Sequence, residues 1–529
     1  MAKMIEQFVI ELLSGELTQK RVDKLQRTFA KVSKLSFFAN DKLLLAYQSL
    51  LSRQLIGRSV ELEKFLTLKS TRSNSGIVVV SVLTKPYDCP GKCIYCPTQA
   101  GAPKSYLAKE PAVMRAIVCK FDPFLQVSTR LKALKAVGHV TDKVNIRIIG
   151  GTWSAYPREY REEFVKELFR AANSQNLESR SWKLAKLHNY NETAKHRIVE
   201  ISVETRQDYI DLNEIKHLRK LGVTKVELGV QSVYDKVLLL NNRGNETSAT
   251  INATRMLKNA GFKVSYQMMV NLYGSDLSQD LGMFRELFSN PAFKPDHLKI
   301  YPLALVKEAA IYDLYSQNKF KPYSEEELVT LLKEIKKLVP VYCRIERVIR
   351  DIPTEYIVEG GAKVSNLRQR VMSELEKEGT SCRCIRCREI KNDFDLNAKY
   401  QMFRQDYEAS EGREIFLSIE SGDRSRLLAL LRLRVPDDWS ETLPVLKNSA
   451  IIREMHTYGP QVSIGKTNDR AAQHQGFGTK LLEKAEQIIA AEFKLEKVAV
   501  ISGVGVRGFF AKNGFKLDRE YMTKCLTLD

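Results

Sequence analysis

The chain has 529 residues, of which 44% are apolar and 28% charged, a composition that predicts a globular protein of roughly two to four domains. No apolar run approaches the roughly 18 residues of a membrane-spanning helix, and the first residues lack the pattern of a secretory signal. We therefore expect a cytoplasmic protein. The formal net charge of +20 predicts a polyanionic partner, with nucleic acid as the first candidate and an anionic membrane surface as the second.

Residues 1–75 are predicted to be helical and basic. Apolar residues recur at helical spacing from Ile5 to Leu13 and again from Leu43 to Leu51. The segment carries 13 Lys or Arg against 7 Asp or Glu, which favours contact with RNA. A helix bundle that only packs against the rest of the chain is an equally open interpretation. Residues 73–76 have the composition of a linker.

Residues 76–375 alternate short apolar runs with amphipathic helical stretches, which is typical of a parallel sheet covered on both faces. Six or seven such units predict a full or partial β/α barrel, whose chemistry is expected at the carboxyl ends of the strands. The predicted strands are Ile77–Leu83, Val144–Ile149, Ile198–Val203, Lys225–Val230, Val264–Val270, His297–Tyr301 and Val341–Ile345.

Cys89, Cys93 and Cys96 form a C-x3-C-x2-C motif directly after the first predicted strand. Three thiolates can hold three irons of a 4Fe–4S cluster and leave the fourth iron open to a ligand. A structural zinc ion completed by a distant fourth residue is the alternative. The position after a barrel strand and the open fourth site favour the reactive cluster.

Two neighbouring features make this motif resemble the radical-SAM superfamily. Tyr95, beside the last cysteine, is typical of its motif, and Gly150, Gly151 and Thr152 follow the second strand where the superfamily binds the methionine amino group. Glycines at that point let the backbone approach a ligand closely. The resemblance implies that the open iron binds S-adenosylmethionine, which electron transfer cleaves to a 5′-deoxyadenosyl radical.

A second cysteine motif, C-x-C-x2-C, lies in a linker at residues 376–395. Its members are Cys382, Cys384 and Cys387. Three thiolates there predict a structural zinc ion that holds the neighbouring domains together. A second iron–sulfur cluster is the rival interpretation, and the sequence shows no evident fourth ligand.

Residues 396–529 have a mixed α+β pattern that differs from the barrel. Strands are predicted at 414–419, 426–435, 451–458 and 498–501, with a helix from Gly478 to about Ala491. The loop before this helix resembles the Q-x-x-G-x-G loop of Gcn5-related acetyltransferases. Its exposed backbone N–H groups and the helix dipole would hold the pyrophosphate of acetyl-CoA. An unrelated glycine turn is the alternative. The loop residues are Gln473, His474, Gln475, Gly476, Phe477, Gly478 and Thr479.

Both signatures on one chain, in this order, resemble the catalytic subunit of Elongator over residues 76–529. The shared strings are 109–112, 114–116, 202–206, 227–234, 298–302, 350–353, 365–368, 453–456 and 501–507. The resemblance implies a radical-SAM barrel followed by a Gcn5-related acetyltransferase domain, in an enzyme that modifies the tRNA wobble uridine at ring carbon 5. It implies tRNA, acetyl-CoA and an electron donor as partners, with a homodimer or accessory Elongator-type subunits and no membrane.

The resemblance also implies a reaction course and residue roles. The radical removes hydrogen from the acetyl-CoA methyl group, the carbon radical adds to the uracil ring, and thioester cleavage leaves a carboxymethyl group. Lys109 and Glu110 are expected to be catalytic with the first three cysteines, and Glu204 and Lys299 to bind cofactor. Lys109, Lys299 and Arg206 would contact phosphates or position the cofactor, although a solvated side chain or a structural ion pair is an equally open reading of each. Residues 1–75 would bind tRNA.

The chain departs from the family pattern near the predicted site. Asn245 and Gln267 each stand where the family usually has histidine, and residues 270–274 replace a Pro-Gly-Leu-Pro-Gly segment. These departures leave a non-catalytic tRNA-binding scaffold as one alternative function.

A further departure lies at the predicted acetyl-CoA site, where Phe509 and Phe510 replace two tyrosines of the family. A tyrosine hydroxyl near the thioester can donate a proton or a hydrogen bond. Either Tyr521 or water therefore takes over this role, or acetyl-CoA handling is altered. A protein lysine acetyltransferase is the other alternative function, with Glu454 as its candidate general base.

Overall fold

The computed structural model describes residues 2–33, 38, 40–66, 75–174, 179, 181–364, 366–391, 394–465 and 471–527. The chain begins with four helices that share a small core around Phe8, Leu12, Leu43 and Tyr47. These helices confirm the helical prediction for the N-terminal region, whereas residues 73 and 74 of the predicted linker lie outside the described residues. The helices are α1 (Ala2–Leu13), α2 (Gln19–Ser33), α3 (Asn40–Ser52) and α4 (Val60–Leu66).

Seven parallel strands follow and form one sheet in strict chain order. The first and last strands are the two edges of this sheet, so the structure confirms the partial form of the predicted barrel. Strands of this kind are covered on both faces, which explains their nearly continuous apolar sequences. The strands are β1 (Val78–Leu83), β2 (Lys143–Ile149), β3 (Arg197–Thr205), β4 (Lys225–Gln231), β5 (Lys263–Val270), β6 (His297–Pro302) and β7 (Arg344–Val348).

Helices cover the outer face of the sheet. On β1 the alternating residues Val78, Val80 and Val82 are buried under the helices Pro111–Val118 and Pro123–Ala136, which pack on this strand. The helices in this part of the chain are α5 (Pro111–Val118), α6 (Pro123–Ala136), α7 (Arg158–Ala172), α8 (Leu184–Asn191), α9 (Leu212–Lys220), α10 (Asp235–Leu240), α11 (Thr247–Asn259), α12 (Leu277–Ser289), α13 (Ile311–Ser316), α14 (Glu325–Leu338), α15 (Leu367–Lys377) and α16 (Ile385–Arg388).

The predicted start of the seventh strand is wrong by three residues. Residues 341–343 form a turn, in which the Cys343 N–H donates a hydrogen bond to the carbonyl oxygen of Pro340, and the strand begins at Arg344. Val341 and Tyr342 are nevertheless buried. Their burial gives the turn the apolar composition of a strand, which misled the sequence pattern.

The last part of the chain forms a second seven-stranded sheet, in the order β13-β14-β12-β11-β10-β9-β8. Neighbouring strands are antiparallel except β11 and β12, which are parallel. The sequence analysis missed β8, β13 and β14. Of these, β8 is half exposed and polar, and β13 is short and fully exposed. The strands are β8 (Tyr400–Glu408), β9 (Gly412–Ser421), β10 (Leu427–Pro436), β11 (Ala450–Thr457), β12 (Lys497–Val500), β13 (Lys516–Asp518) and β14 (Tyr521–Cys525).

Two helices pack on this mixed sheet, α17 (Phe477–Ile488) and α18 (Arg507–Lys512), and a π-helical turn, Ile489–Phe493, continues α17. The sheet docks on the amino ends of the barrel strands. A Cβ at Gly503 would overlap the carbonyl oxygen of Val199, and the Tyr521 hydroxyl donates to the carbonyl oxygen of Ala260 at 2.7 Å. None of the described helices is long and apolar enough to cross a membrane.

Candidate active site

The carboxyl ends of the barrel strands surround a cavity of about 920 Å³. Cys89, Cys93 and Cys96 line it, on the segment that directly follows β1. Basic side chains outnumber carboxylates in the lining, so the cavity favours anionic ligands. The structure therefore brings the predicted cluster cysteines to the end of the barrel where barrel proteins carry their chemistry.

The segment between these cysteines is closely held. The Gly91 N–H lies 3.4 Å from Cys89 Sγ, and an added Cβ at Gly91 would come within 2.7 Å of Arg206 Nη1. Arg243 Nη1 lies 3.7 Å from Cys93 Sγ. Two guanidinium groups beside the thiols provide positive charge, which suits three thiolates and an anionic cluster.

The spread of the thiols distinguishes the two cysteine motifs. A single tetrahedral zinc ion requires short Zn–S bonds of about 2.3 Å and hence close sulfur atoms, whereas a cluster distributes its thiolates over several irons. Among the described residues, Cys382, Cys384 and Cys387 are the group of three metal-type ligand atoms that lie within 4.8 Å of one another. The thiols of the first motif are spread more widely, as a cluster needs.

The Cys96 thiol needs a metal to be ionised. Burial, together with the negative charge of Cys93 nearby, raises the pKa of Cys96 to about 11. Since a thiol with such a pKa is protonated at neutral pH, bound iron would have to displace its proton. The residues present thus fit a cluster, and its loading should depend on pH.

The segment after β2 forms part of one wall of the cavity, where Gly151 and Thr152 line it. Gly150 and Gly151 have φ values of 131° and 107°, and a Cβ at Gly150 would overlap the Thr84 hydroxyl. Thr152 follows them and lies with its Oγ1 3.6 Å from Cys89 Sγ. Across the cavity, Gln231 has a buried Oε1 with no hydrogen-bond partner in the described part of the chain. The backbone of the glycines is not covered by side chains, and Gln231 Oε1 lacks a hydrogen-bond donor. Both features suit the binding of a polar ligand.

Glu204, at the end of β3, is the centre of a hydrogen-bond network in the cavity wall. Its carboxylate accepts from the Tyr106 hydroxyl at 2.8 Å, from Gln267 Nε2 at 2.9 Å and from Lys299 Nζ at 3.3 Å. Lys299 also pairs with Glu227. Burial and the charge of Arg147 act to lower the pKa of Lys299, but the two carboxylates keep it above its usual value.

These contacts show where the side chains of Lys299 and Arg206 lie. The Lys299 amine lies between the carboxylates of Glu204 and Glu227 and the residue is 1% exposed, so the structure places it in an ion pair of the cavity wall and not on the protein surface. Arg206 is buried as well, bound to Asp208 and to the carbonyl oxygen of Arg243. Its guanidinium lies beside Gly91 in the cysteine segment and does not reach the protein surface.

Glu110 and Lys109 are separated by the fold although they are neighbours in sequence. Glu110 is buried in the cavity wall and accepts from Arg350 Nη2 at 3.1 Å. Lys109 forms an exposed ion pair with Glu355, with its side chain 64% accessible. The structure thus joins Glu110 to the cysteines and leaves Lys109 outside the cavity, where its predicted catalytic role finds no geometric support.

The second cysteine motif lies between the barrel and the mixed sheet. Cys382 and Cys384 are buried, Cys387 is half-buried, and the Ile385 N–H donates to the carbonyl oxygen of Cys343 at 3.0 Å. Cys343 itself is fully buried beside Cys384, whose charge adds to the effect of burial in raising the pKa of Cys343. The arrangement fits a compact structural metal site.

The predicted acetyl-CoA loop contacts the barrel. Gln473 is 5% exposed, and its amide binds Lys143 Nζ at 2.7 Å, the Gly76 carbonyl oxygen at 3.1 Å and the Thr457 carbonyl oxygen at 3.2 Å. These hydrogen bonds join the Gln473 side chain to Lys143 and Gly76 of the barrel region and to Thr457 of β11. The Gln473 side chain therefore holds the loop in place. His474 is exposed beside Lys143.

The backbone of the loop has the geometry expected of an anion site. Gly476 has a φ of 78° and precedes the first turn of α17, which has no side-chain cap. Free N–H groups at a helix start form an anion site. Phe477 packs against Phe394, and Gln475 Nε2 donates to the Ala471 carbonyl oxygen. Thr479 lies in the first turn of α17.

Phe509 and Phe510 occupy different environments. A Cβ at Gly478 would lie 3.6 Å from Phe509 Cζ, so Phe509 borders the loop, whereas Phe510 is buried against Phe515. Tyr521, the candidate substitute for the missing hydroxyl, instead donates to the barrel at Ala260. The interpretation with Tyr521 as the replacement is therefore wrong.

Glu454 is not placed as a general base. Its carboxylate binds Arg432 at 2.7 Å and lies 3.5 Å from His297 Nε2. Burial alone would raise its pKa, but the charges of His297, Arg432 and Lys263 hold the pKa of Glu454 well below its usual range. A carboxylate held in this way is a weak proton acceptor, which counts against the lysine acetyltransferase alternative.

Comparison with known proteins places these features in a family. The Radical SAM superfamily model matches residues 85–286, and the Radical_SAM C-terminal domain matches residues 295–377. The chain is 38% identical over 542 residues to the tRNA uridine(34) acetyltransferase of Methanocaldococcus jannaschii, with 99% of this chain and 97% of the relative covered. The chain belongs to the tRNA uridine(34) acetyltransferase family. This confirms the predicted family.

The tRNA uridine(34) acetyltransferase family includes eukaryotic relatives and a solved structure. Elongator complex protein 3 of Homo sapiens is 38% identical, with 87% of this chain and 86% of the relative covered. The archaeal Methanocaldococcus infernus Elp3 with an N-terminal deletion (1–46) matches with a TM-score of 0.74 at 38% identity, covering 85% of this chain and 100% of that one. Membership of the radical-SAM superfamily implies a 4Fe–4S cluster and S-adenosylmethionine.

Sequence reasoning missed several residues of the site. Tyr106, Gln231 and Arg350 line the cavity with the cysteines, and Lys143 anchors the acetyl-CoA-type loop. Gln231 and Arg350 lie within strings shared with the family, and Tyr106 lies three residues before another one, which was the available signal. No sequence signal pointed to Lys143, because its contact with Gln473 forms only when the two domains pack together.

Proposed function

We propose that this chain modifies the wobble uridine of tRNA and installs a carboxymethyl group at ring carbon 5, with acetyl-CoA as the carbon source. The carrying observation is that the barrel cavity gathers the three cysteines, the Gly150–Thr152 wall and Glu204 around one space. Relatives that carry the name tRNA uridine(34) acetyltransferase, which match this chain over almost its whole length, support the choice of substrate.

The residues of the cavity suggest a division of tasks. A 4Fe–4S cluster held by Cys89, Cys93 and Cys96 would supply the electron that cleaves S-adenosylmethionine to a 5′-deoxyadenosyl radical. The Gly150–Thr152 wall would admit the methionine part through its bare backbone. Glu204, kept ionised by Lys299, would accept hydrogen bonds from a ligand. Arginines at the rim would hold nucleic-acid phosphates.

The mixed-sheet domain would act as a Gcn5-related acetyltransferase-type domain. The backbone N–H groups from Gly476 to Thr479 would bind the pyrophosphate of acetyl-CoA at the start of α17. Phe509 borders that loop and would contact the ligand through its ring only, since it has no hydroxyl. Proton donation at the thioester would then have to come from outside this side chain.

The second cysteine motif would hold a structural zinc ion. Cys382, Cys384 and Cys387 offer three close thiols, and no fourth Cys, His, Asp or Glu of the described residues belongs to this group of close ligand atoms. The ion would fix the linker between the two sheets. Residues 1–75 would add a basic surface for tRNA.

The test is a reconstitution without oxygen. The chain is loaded with iron and sulfide and supplied with dithionite, S-adenosylmethionine, acetyl-CoA and unmodified tRNA, and 5′-deoxyadenosine and carboxymethyluridine are measured by mass spectrometry. We expect both products from the wild type and from Cys119→Ala, a buried cysteine outside the cavity, and neither from Cys96→Ala. Deoxyadenosine without modified uridine would contradict the proposed acetyl-CoA chemistry. Neither product, from a loaded chain that binds tRNA, would support the scaffold alternative.

A further inference from the structure

Two cavities meet at the cluster cysteines from different directions. The larger runs along the gap between the two edges of the barrel sheet, with Val79 and Ser81 of β1 on one side and Arg347 of β7 on the other. A second cavity of about 900 Å³ lies on the outer side of the cysteine segment. Both are lined by Cys89, Cys93 and Cys96. Two entrances suit a reaction in which two substrates must reach the same centre.

The lower end of the gap adjoins the acetyl-CoA-type loop. Gly76, two residues before β1, accepts a hydrogen bond from Gln473, and Val78 at the start of β1 lines the larger cavity. Val78 pairs with Val144 on β2, directly after Lys143, which also binds Gln473. The loop therefore contacts the strand that borders the gap, at the amino end of β1.

The loop and the cysteines nevertheless lie at opposite ends of the barrel. β1 has six residues and spans about 20 Å at the usual rise per residue. A group that is bound at the loop and reacts at the cysteines must cover this distance. The side chains inside the barrel determine which path is open to it.

The centre of the barrel is closed to such a group. Lys225, Glu227 and Lys299 are at most 2% exposed and form an ion-pair network there. An uncharged chain passing through would have to separate buried ion pairs, which costs several kcal/mol. The edge is different, because Val79 is 37% exposed although it lies on a barrel strand and Ser81 beside it is half-buried. Both side chains are small and uncharged.

We infer that the gap between β1 and β7 is the passage through which the acetyl thioester arm of coenzyme A reaches the cysteine site. This rests on the proposed function, which requires acetyl-CoA to be bound at the loop and to react at the barrel. The nucleotide part stays at the start of α17. The slender, uncharged arm lies along Val79 and Ser81, and the second cavity remains for the uridine.

The test places a thiol in the passage. Ser81→Cys and the matched control Ser128→Cys, a half-buried serine on the outer helix α6, are loaded with iron and sulfide and treated with oxidised coenzyme A without reductant. The new thiolate attacks the disulfide, a mixed disulfide forms, and one coenzyme A leaves as its thiol. Peptide mass spectrometry locates the adduct, and binding of coenzyme A to the wild type is measured by calorimetry.

We expect Ser81→Cys to be labelled at least ten-fold faster than Ser128→Cys, and acetyl-CoA to suppress this labelling. Oxidised glutathione, which has no nucleotide to bind the loop, should label both variants at similar rates. Equal labelling by coenzyme A, with coenzyme A binding to the wild type intact, would overturn the passage and leave the proposed function standing. No coenzyme A binding to the wild type would overturn the proposed use of acetyl-CoA and the passage with it. Val79→Cys gives the same comparison if Ser81→Cys does not fold.

Discussion

Arg453 of β11 and Asp296, directly before β6, form a bidentate ion pair that joins the mixed sheet to the barrel. The Nη2–Oδ1 and Nη1–Oδ2 distances are 2.5 and 2.9 Å, and both side chains are completely buried. Burial would raise the pKa of Asp296, but the charges of Arg453, Lys258 and Arg432 hold it far below its usual value. The two domains are thereby held in one arrangement, which fixes the loop at Gln473 against the barrel.

Asp296→Asn should lower the free energy of unfolding by about 3–5 kcal/mol, because it leaves the Arg453 charge buried with weaker compensation. Chemical denaturation measures the change. Glu355→Gln, which breaks the exposed pair with Lys109, should leave the free energy of unfolding nearly unchanged, because solvent screens this pair. Similar losses in the two variants would show that burial does not govern the strength of the interdomain pair.

Cys384→Ser should remove the structural metal without removing the iron of the cluster. The close spacing of the three thiols predicts a single ion there, and its loss should lower stability by on the order of several kcal/mol. Metal content by mass spectrometry and thermal unfolding check this. Cys119→Ser is the matched control and should keep both metals. Loss of iron together with zinc in Cys384→Ser would instead indicate that the second motif supports the first.

Gln267→Leu should reduce uridine modification by about 10–100-fold, because it removes a hydrogen bond of about 1.5–3 kcal/mol to the Glu204 carboxylate. Gln267→His, the residue usual in the family, can donate the same bond and should keep activity within a few-fold. The ratio of modified uridine to 5′-deoxyadenosine is the measurement. Equal activities in the two variants would show that the contact between Gln267 and Glu204 seen at 2.9 Å is not used.

Glu227 should make stability depend on pH in the acid range. Burial raises its pKa, but Lys299, Arg147 and Lys225 lower it to about 2 from an ordinary value of 4.5. A lowered carboxyl pKa stabilises the folded state fully above the ordinary value, and this contribution is lost as the pH falls towards 2. Between about pH 5 and about pH 3, the wild type should lose about 2 kcal/mol more than Glu227→Gln. Urea unfolding measures both slopes. Glu355→Gln should keep the wild-type slope, and an unchanged slope in Glu227→Gln would refute the assignment.

Most of the barrel was predictable because its strands are buried on both faces and their sequences are therefore continuously apolar. The exceptions have local causes. Val341 and Tyr342 are buried in a turn, and β8 is a half-exposed edge strand. The turn is therefore more apolar, and β8 more polar, than the sequence pattern expects for a turn and a strand.

The candidate site was predictable where one segment supplies the chemistry. The spacing of Cys89, Cys93 and Cys96 in a single loop after β1 was enough to predict a cluster. Glu204 and Lys299 were named through the family resemblance, but their pairing was not predictable, because the two residues are far apart in sequence and meet only across the barrel.

The sequence by itself determined the cysteine motif after β1 and the glycine loop before α17, since ligand spacing and glycine loops are local properties of a segment. Only the tertiary structure decided how these two segments are related in space. It placed Lys109 on the surface, filled the barrel centre with ion pairs and anchored Gln473 to Lys143. These outcomes depend on burial and on long-range contacts, which electrostatics and packing set only after the chain has folded.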